Sequence, residues 1–358
     1  MIGRRDNMSK VLFIGAPGHI STHAVNEACR LGHEVAAVKR TPKEDEDLRY
    51  PIKMYYGDRD DRCFLEQVIE EYQPEIVADF VCYKYYQAQL ISDVLMGKVK
   101  QYVFVSSIDY YNMPLNKLPW KEEYGVAAMP YVTEYAVSKY ECENLLMKKY
   151  RENGFPVTIV RPGYCINKEA LLPFFHGRNW LTEGNRSVVE RLRAGKPLIV
   201  PGDGNTIFQP GSAKLHGEMI AWLLGQEIAI GEDWNCAPRE HSTLDEYVKL
   251  VAKLAGTTAK IVHIPSEVLL SLGLKEIEES FLKVLTQYNY YYSSEKFAKA
   301  FPDFPWTSTP EQAIKEHIEW NDRNGLFGQA EENTVEDRII EAWEKCTENM
   351  KRAVWGLE

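Results

Sequence analysis

The sequence lacks the features that mark several large classes of protein. Its apolar runs, such as IVADFV at 76–81, are far shorter than the roughly 20 residues of a membrane-spanning helix, and its first residues lack the apolar core of a secretory signal. Its seven cysteines include no Cys-x-x-Cys, and its eight histidines show no metal-ligand spacing. Long basic runs are also absent and the net charge is −10, which disfavours a nucleic-acid partner. We therefore expect a cytoplasmic protein with reduced thiols, no metal site and no membrane contact.

What the chain does contain is a regular alternation of short apolar runs and longer helical patterns. Buried strands are predicted at 9–16, 34–40, 52–58, 75–81, 101–107 and 156–162, and helices at 19–32, 61–73, 86–98 and 131–154. Near-continuous apolar strands separated by helices are typical of a parallel sheet that is covered on both faces. We predict a doubly wound, Rossmann-type α/β fold with a smaller C-terminal α/β substrate region.

The alternation becomes irregular from about Gly163. Later helices are predicted at 241–256, 309–325 and 335–355, with a strand at 260–266. We divide the chain into a dinucleotide-binding core over 8–163, an interleaved substrate-binding region over 164–326 and a helical tail over 327–358. The tail is either docked on its own chain or part of a subunit contact, and a homodimer is possible.

A glycine-rich loop directly follows the first predicted strand. VLFIGAPGHIS requires a tight turn before the first helix, and a pyrophosphate approaching the helix N-terminus needs backbone without an obstructing Cβ. The alternative is a plain strand–helix turn. We expect this loop to bind a dinucleotide through Gly15, Pro17, Gly18, His19 and Ile20.

The end of the second strand distinguishes two dinucleotides. A carboxylate there suits the free ribose of NAD, whereas an arginine suits the 2′-phosphate of NADP. The sequence has Lys39-Arg40-Thr41, with no carboxylate before Glu44, so NADP(H) is favoured over NAD(H) unless Arg40 is only a solvated surface charge. Asp58, at the end of the third strand, is either a ligand of the adenine amino group or a turn residue.

Three Tyr-x-x-x-Lys pairs occur, at Tyr135/Lys139, Tyr164/Lys168 and Tyr292/Lys296. Residues four apart share one face of a helix, but three occurrences mean that this spacing alone identifies nothing. Only the first pair lies on a predicted helix that follows a strand ending in two serines, at 106 and 107. Open α/β sheets bind ligands at the carboxyl ends of their strands, so this pair is the candidate site.

Hydride transfer at a C–OH carbon requires a proton to move at the oxygen. A tyrosine of pKa about 10 is a poor base at pH 7, and a neighbouring ammonium together with a positive nicotinamide lowers that pKa. Lys139 thus makes Tyr135 reactive, and Ser107 can hold the substrate oxygen against it. We predict Ser107, Tyr135 and Lys139 as the catalytic set.

Together these motifs resemble the extended short-chain dehydrogenase/reductase family, the NAD(P)-dependent epimerase/dehydratase group. The resemblance covers about 9–325 and rests on GAPGHIS, GDRDD, FVSSIDYYN, YAVSK, IVRPG and GKPLIVPGDG. It implies catalysis by the same three residues, with Lys139 also holding the cofactor ribose and Pro162 contacting the cofactor. Ser107 is preferred over its neighbour because it stands five residues before Asn112, which takes the glycine place of the family's Tyr-Gly.

A later segment narrows the resemblance to one branch of the family. Gln209, Gly211 and Lys214 match a run in bacterial epimerase-like proteins and chloroplast stem-loop RNA-binding proteins. Nucleotide-sugar enzymes usually carry a diphosphate-binding arginine where this chain has Ile207, so the resemblance does not imply diphosphate binding there.

Substrate contacts are predicted more coarsely. Asp109 stands where dehydratases carry an acidic residue, although Ile108 replaces the aspartate that usually precedes it, and a loop carboxylate explains Asp109 equally well. We expect substrate contacts at Asp109, Tyr164 and Gln209. Loop residues that are further candidates are His176, Arg178, Asn179, Trp180 and Arg186.

The sequence therefore predicts an NAD(P)-dependent oxidoreductase of epimerase/dehydratase type. Hydride transfer would take place at a secondary alcohol or ketone of a sugar or nucleotide sugar, and a simple ketone reductase of a non-sugar metabolite fits the same residues. The rivals from other classes are a non-catalytic or RNA-associated protein on the same fold and a cofactor-binding redox sensor. The net charge of −10 and the complete serine–tyrosine–lysine set disfavour the first, and the intact Tyr135 disfavours the redox sensor.

Overall fold

The computed structural model describes residues 8–42, 45–111, 117–125, 133–172, 183–278, 280–330 and 334–356, with backbone only at 183–186 and 334. The chain divides into two compact units. The first unit comprises Met1–Cys165, Pro210–Arg239 and Tyr292–Thr309, and the second comprises Ile166–Gln209, Glu240–Tyr291 and Pro310–Glu358.

The strands and helices alternate along the first half of the chain. The strands are β1 (Lys10–Ile14), β2 (Glu34–Lys39), β3 (Lys53–Tyr56), β4 (Ile76–Asp79), β5 (Gln101–Val105), β6 (Val157–Pro162), β7 (Cys165–Ile166), β8 (Pro197–Pro201), β9 (Ile207–Phe208), β10 (Gly211–Ser212), β11 (Asp233–Cys236), β12 (Ser242–Thr243) and β13 (Lys260–Ile264). The α-helices are α1 (Ser21–Arg30), α2 (Arg62–Tyr72), α3 (Tyr85–Leu95), α4 (Glu134–Asn153), α5 (Glu183–Arg193), α6 (Ala213–Trp222), α7 (Leu244–Leu254), α8 (Ser266–Ser271), α9 (Lys275–Glu278), α10 (Glu295–Ala300), α11 (Pro310–Asn324) and α12 (Thr334–Trp355).

The first unit is built on a seven-stranded sheet. The strand order is β11-β6-β5-β4-β1-β2-β3, and every neighbouring pair is parallel. Successive strand residues alternate between two cores: Val11 and Phe13 pack with α1 and α6, whereas Leu12 and Ile14 pack with α2, α3 and α4. Both faces of β1 are buried, which explains why its sequence is continuously apolar. The predicted Rossmann-type fold is confirmed.

A glycine holds α6 close to the start of α1. A Cβ on Gly217 would lie 2.6 Å from the backbone nitrogen of Ala24 and 2.8 Å from the carbonyl oxygen of Ile20. Backbone atoms cannot move aside as a flexible side chain can, so only glycine permits this packing. The contact supports the first turn of α1, where the glycine-rich loop ends.

The second unit has smaller sheets and its own core. Strands β8 and β13 pair in parallel, and β9 pairs with β12 in the antiparallel sense. Helix α7 begins at a capping box, in which the Thr243 hydroxyl accepts from the Glu246 N–H and the Glu246 carboxylate accepts from the Thr243 N–H. The start of α12 buries Ile339 and Ile340, whereas its far end, including Trp355, is exposed. None of the helices described is long and apolar enough to cross a membrane.

Candidate active site

The glycine-rich loop turns sharply where β1 ends. Gly15 has a φ of +88°, and a Cβ there would lie 2.6 Å from Cγ1 of Val81. The Ser21 hydroxyl donates to the Gly15 carbonyl (2.9 Å), and the Gly18 N–H donates to the Thr22 hydroxyl (3.0 Å). The first turn of α1 has no acidic residue of its own, although Asp45, from the segment after β2, accepts from the Thr22 hydroxyl (2.6 Å). The tight turn at Gly15 and the N-terminus of α1 are the features of this loop that suit a pyrophosphate.

The other residues predicted in this loop lie at different depths. Pro17 is buried and its carbonyl accepts from Lys39 Nζ (2.6 Å), which ties the end of β2 to the loop. Ile20 is half-buried, and its carbonyl accepts from the Ala24 N–H (3.1 Å). His19 is exposed.

Arg40 and Asp58 follow β2 and β3. The side chain of Arg40 is 77% exposed, and its Nε lies 3.9 Å from a carboxylate oxygen of Asp58. Asp58 also accepts from the Asp60 N–H (3.0 Å), so it has a turn-capping role in this structure. Arg40 is therefore a solvated cation whose guanidinium is still largely uncommitted.

The two serines after β5 differ in position. The Ser106 N–H donates to the Val160 carbonyl (2.8 Å), which keeps this buried residue within the sheet. Ser107 is half-buried and begins a 3₁₀ turn, in which its hydroxyl accepts from the Asp109 N–H (3.2 Å). Ser107, rather than Ser106, thus lies beyond the strand end, next to Asp109.

Helix α4 carries the tyrosine and the lysine in its first two turns. The Thr133 hydroxyl caps the helix by accepting from the Ala136 N–H (3.0 Å). Tyr135 is the second helical residue, and Lys139 follows one turn later on the same face.

Lys139 is a buried cation without a carboxylate partner. The residue is 1% exposed, and its Nζ donates to the carbonyls of Cys82 and Val105, both at 2.8 Å. No carboxylate of a described residue lies within 4.0 Å of Nζ. Burial lowers the pKa of Lys139 below its ordinary value. Asp79, Glu143 and the thiols of Cys82 and Cys142 favour the charged form from a greater distance, but none of them forms an ion pair with it.

Tyr135 lies beside this cation, with its ring centroid 5.7 Å from Lys139 Nζ. The residue is 40% exposed, yet desolvation raises its pKa above the ordinary value, and nearby Asp109 and Tyr83 act in the same direction. The nearby Ser107 hydroxyl acts in the opposite direction and lowers the pKa of Tyr135. The structure thus brings Ser107, Asp109, Tyr135 and Lys139 together, and it favours neutral Tyr135 in the absence of a cofactor.

The predicted residues form a row along one edge of the sheet. The carboxyl ends of β3, β2, β1, β4 and β5 carry, in that order, Asp58, Arg40, Gly15, Val81 and Ser107. Adjacent strands lie about 4.8 Å apart, so the row is about 19 Å long. The loop after β1 lies at its centre, as the pyrophosphate of an extended dinucleotide requires.

A family model described as "NAD dependent epimerase/dehydratase family" matches residues 11–237. The chain belongs to this family.

Relatives within and around the family differ in named activity. The chain is 27% identical over 271 residues to the chloroplast stem-loop binding protein of 41 kDa b from Arabidopsis thaliana, over 71% of this chain and 65% of the relative, slightly less than two thirds of that relative's length. It is 24% identical over 345 residues to a UDP-N-acetyl-alpha-D-glucosaminuronate decarboxylase from Bacillus cytotoxicus, over 87% of this chain and 97% of the relative.

A solved structure shares the fold. The epimerase Mth375 from Methanothermobacter thermautotrophicus superposes with a TM-score of 0.69 at 17% identity, over 90% of this chain and 94% of that one. This likeness supports the Rossmann-type architecture of the epimerase/dehydratase chain.

Pro162 ends β6, the parallel neighbour of β5, and therefore lies at the same carboxyl edge of the sheet, buried and paired with Cys236. Tyr164 is buried, and its carbonyl accepts from the Gly211 N–H (2.8 Å). Gln209 is buried in the second unit. Asn112, His176, Arg178, Asn179, Trp180 and the side chain of Arg186 lie outside the described residues.

Sequence reasoning missed Tyr83, in the loop after β4. Lys139 Nζ lies 4.9 Å from its ring centroid, and the rings of Tyr83 and Tyr135 are 6.5 Å apart. No spacing rule links Tyr83 to the pair. It becomes a neighbour only because β4 and β5 are adjacent in the sheet.

A buried ionic network joins α4 to the end of β6. The sequence reasoning missed it as well. Arg161, at the end of β6, donates to both oxygens of Glu143 on α4 (3.0 and 2.7 Å) and lies 2.7 Å from Asp233. It also donates to the Tyr111 hydroxyl (2.9 Å) and stacks 3.7 Å from the Tyr110 ring centroid. One signal was available: Glu143 shares the helical face of Tyr135 and Lys139, which faces the core.

Metal chemistry has no donor set here. Within the part of the chain that the structure describes, no group of three or more His, Cys, Asp or Glu side chains is arranged to hold a metal ion.

Proposed function

We propose that this chain is an NAD(P)-dependent oxidoreductase of the epimerase/dehydratase type. It would transfer hydride at a secondary alcohol or ketone of a sugar or nucleotide sugar. The observation that carries the proposal is a buried, uncompensated Lys139 beside Tyr135, with Ser107 in reach of the same hydroxyl. A merely structural lysine would be expected to have a carboxylate partner or solvent.

The proton step follows from these three side chains. When the substrate is oxidised, ionised Tyr135 takes the proton of the substrate's hydroxyl group. Ser107 donates a hydrogen bond to the same substrate oxygen. The carbon loses a hydride and becomes a ketone. Lys139 stabilises the tyrosinate through its charge. A bound nicotinamide cofactor would supply the hydride acceptor, and the reverse steps give reduction.

The cofactor we propose is NADP(H). Arg40 follows β2 with a largely solvated guanidinium, and no carboxylate follows that strand before Glu44. We expect Arg40→Ala to weaken NADPH binding about tenfold and to leave NADH binding unchanged, because only NADPH carries the 2′-phosphate. Fluorescence titration of both cofactors checks this. An equal loss for both would refute the assignment.

The experiment that tests the function is a search for turnover. Purified protein is incubated with oxidised cofactor and a panel of free sugars and sugar nucleotides, and reduced nicotinamide is followed by absorbance. We expect at least one substrate to reduce the cofactor, and Ser107→Ala to lower that rate about a hundredfold. A substrate turned over equally well by wild type and Ser107→Ala would refute the proposed mechanism.

The sugar-like substrate is proposed from the relatives. The Bacillus decarboxylase is named for a UDP-linked sugar acid, and its aligned region spans 97% of its length. Ile207, in place of the family's diphosphate-binding arginine, favours a free sugar within this class.

An RNA-associated role is the second candidate, because a stem-loop binding protein matches 71% of the chain. Filter binding of a structured RNA at rising salt tests it. Given the net charge of −10, we expect weak binding that is largely lost between 50 and about 200 mM salt. Tight binding with a steep salt slope would favour this candidate over the enzyme.

The homodimer stays a proposal as well. Light scattering of the purified chain would give twice the monomer mass of 41.2 kDa if it is correct.

A further inference from the structure

Three aromatic rings enclose the ammonium group of Lys139. Its Nζ lies 4.9 Å from the ring centroid of Tyr83, 4.9 Å from that of Phe104 and 5.7 Å from that of Tyr135. With the carbonyls of Cys82 and Val105, these rings leave the residue 1% exposed. We call the three rings the aromatic cage.

The three walls of the aromatic cage are not equivalent. Phe104 lies on β5 and is fully buried in the core of the sheet. Tyr135 is the proposed acid and base. Tyr83 is 44% exposed and Tyr135 is 40% exposed, so both rings lie between Lys139 and solvent, and Tyr83 is the one that has no part in the proposed proton step.

The backbone of Tyr83 is held in place from both sides. Its N–H donates to the Gln87 side chain (2.7 Å), which also accepts from the Lys84 N–H (3.0 Å). On the other side, Cys82 offers its carbonyl to Lys139. These bonds hold the backbone of Tyr83 where its ring faces the ammonium group at 4.9 Å.

We propose that Tyr83 is a positioning residue for the catalytic pair: its ring closes the aromatic cage and holds Lys139 Nζ beside Tyr135. The catalytic consequence rests on the proposed function, whereas the cage itself does not. A cation facing an aromatic ring within about 6 Å is stabilised by the ring's negative face, and more strongly when it is desolvated.

Other groups also act on the pair and bear on its pH behaviour. Lys139 is influenced by Asp79 at the end of β4, by Cys82, and by Cys142 and Glu143 on its own helix. Tyr135 is influenced by Asp109 from the turn after β5 and by Tyr83. Tyr83→Phe removes the hydroxyl group of Tyr83 and keeps its ring. This variant therefore separates the effect of ring packing from the effect of a titrating hydroxyl.

The test measures access to Lys139 without any substrate. Wild type, Tyr83→Leu and Tyr83→Phe are acetylated under limiting reagent, and the rate at Lys139 is read by mass spectrometry. We expect Tyr83→Leu to be labelled about three- to tenfold faster, the factor that corresponds to the loss of one cation–π contact, and Tyr83→Phe to match wild type. Tyr83→Met serves the same purpose if the leucine variant does not fold.

Tyr85→Leu is the matched control, because Tyr85 is a comparably exposed tyrosine two residues away. Unchanged labelling of Lys139 in Tyr83→Leu would overturn the proposal, as would an equal gain in Tyr85→Leu. These outcomes stand whether or not the protein turns over any substrate.

The second readout is the pH profile of kcat/KM for substrate oxidation. A displaced ammonium stabilises the tyrosinate less, so we expect the acid limb in Tyr83→Leu to move up by about 0.5–1 pH unit and Tyr83→Phe to restore it. A shift to lower pH would mean that the ring acts only by excluding water from Tyr135, and the positioning role would be wrong. If Tyr83→Leu is labelled faster at Lys139 but the wild type turns over no substrate, the proposed role of Tyr83 in the aromatic cage stands and the proposed oxidoreductase function is refuted.

Discussion

Two Tyr-x-x-x-Lys pairs in this chain have the same spacing and opposite surroundings. Tyr135 and Lys139 both lie on α4, one turn apart. Tyr292 precedes α10, which begins at Glu295, so Tyr292 and Lys296 do not share a helical face. The Tyr292 hydroxyl donates to the Cys236 carbonyl (3.3 Å), which gives it a buried structural role.

The lysines differ even more than the tyrosines. Lys296 Nζ lies 2.6 Å from Glu232 and 3.7 Å from Asp233, so carboxylates compensate its charge. Lys139 forms hydrogen bonds to two backbone carbonyls and faces aromatic rings, and no carboxylate of a described residue lies within 4.0 Å of its Nζ. A buried ammonium without a counter-ion costs stability, and it lowers the pKa of a neighbouring phenol. The comparison teaches that the partner of the lysine, not its spacing from the tyrosine, separates a candidate site from a coincidence.

The largest effect should come from removing the hydroxyl group of Tyr135, with the hydroxyl group of Tyr292 removed as the comparison. We expect Tyr135→Phe to lower turnover about 10²- to 10⁴-fold, because the proton acceptor is lost. Tyr292→Phe loses one neutral hydrogen bond and should keep its turnover. Steady-state rates at saturating cofactor check this. Equal turnover rates for Tyr135→Phe and Tyr292→Phe would show that Tyr135 is not the proton acceptor.

The next effect separates the two lysines. Lys139→Met should lower turnover about ten- to a thousandfold near neutral pH, because the tyrosinate loses its neighbouring charge. Its thermal midpoint should stay unchanged or rise, because an uncompensated buried charge is removed. Lys296→Met should keep turnover and lose a little stability by leaving Glu232 unpaired. Parallel rates and melting curves measure both. A lower thermal midpoint for Lys139→Met would show that the hydrogen bonds to Cys82 and Val105 and the ring contacts of the ammonium group outweigh the cost of burying its charge.

The smallest effect is a pH dependence of cofactor binding. An oxidised nicotinamide is positive and lowers the pKa of Tyr135, which burial raises in the free protein. The complex then binds fewer protons than the free protein, so affinity for the oxidised cofactor should rise with pH, by at most tenfold per unit. This holds between the pKa of Tyr135 in the complex and its higher pKa in the free protein.

Calorimetry in two buffers of different ionisation enthalpy measures the released proton. Tyr135→Phe should abolish proton release, and Tyr292→Phe should keep it. Reduced cofactor, which lacks the positive charge, should bind with no such pH dependence. Equal proton release from Tyr135→Phe and wild type would place the titrating group elsewhere.

Much of the fold could be predicted because burial leaves a direct trace in the sequence. Strands such as Val11–Ile14 are covered on both faces, so their residues are continuously apolar, and the helices between them show a period of 3.6. The family follows from motifs in the loops that end these strands.

The rest depends on distances across the sheet. Tyr83 meets Lys139 because β4 lies beside β5, and Arg161 meets Glu143 across 18 residues of chain. No local pattern carries such pairings. The domain limits, the preference for NADP(H), the cytoplasmic location and the roles given to single residues stay predictions.

The network around Arg161 restricts how this chain can vary. One guanidinium serves two carboxylates, the buried Glu143 and the partly exposed Asp233, so losing Arg161 alone leaves the Glu143 carboxylate buried without its partner. Losing Glu143 alone removes a support from the helix that carries Tyr135. We therefore expect this network to be lost in evolution only when Arg161 and Glu143 are substituted together. We expect these positions to change together among relatives or not at all, and a single change at either to inactivate a chain whose candidate site is intact.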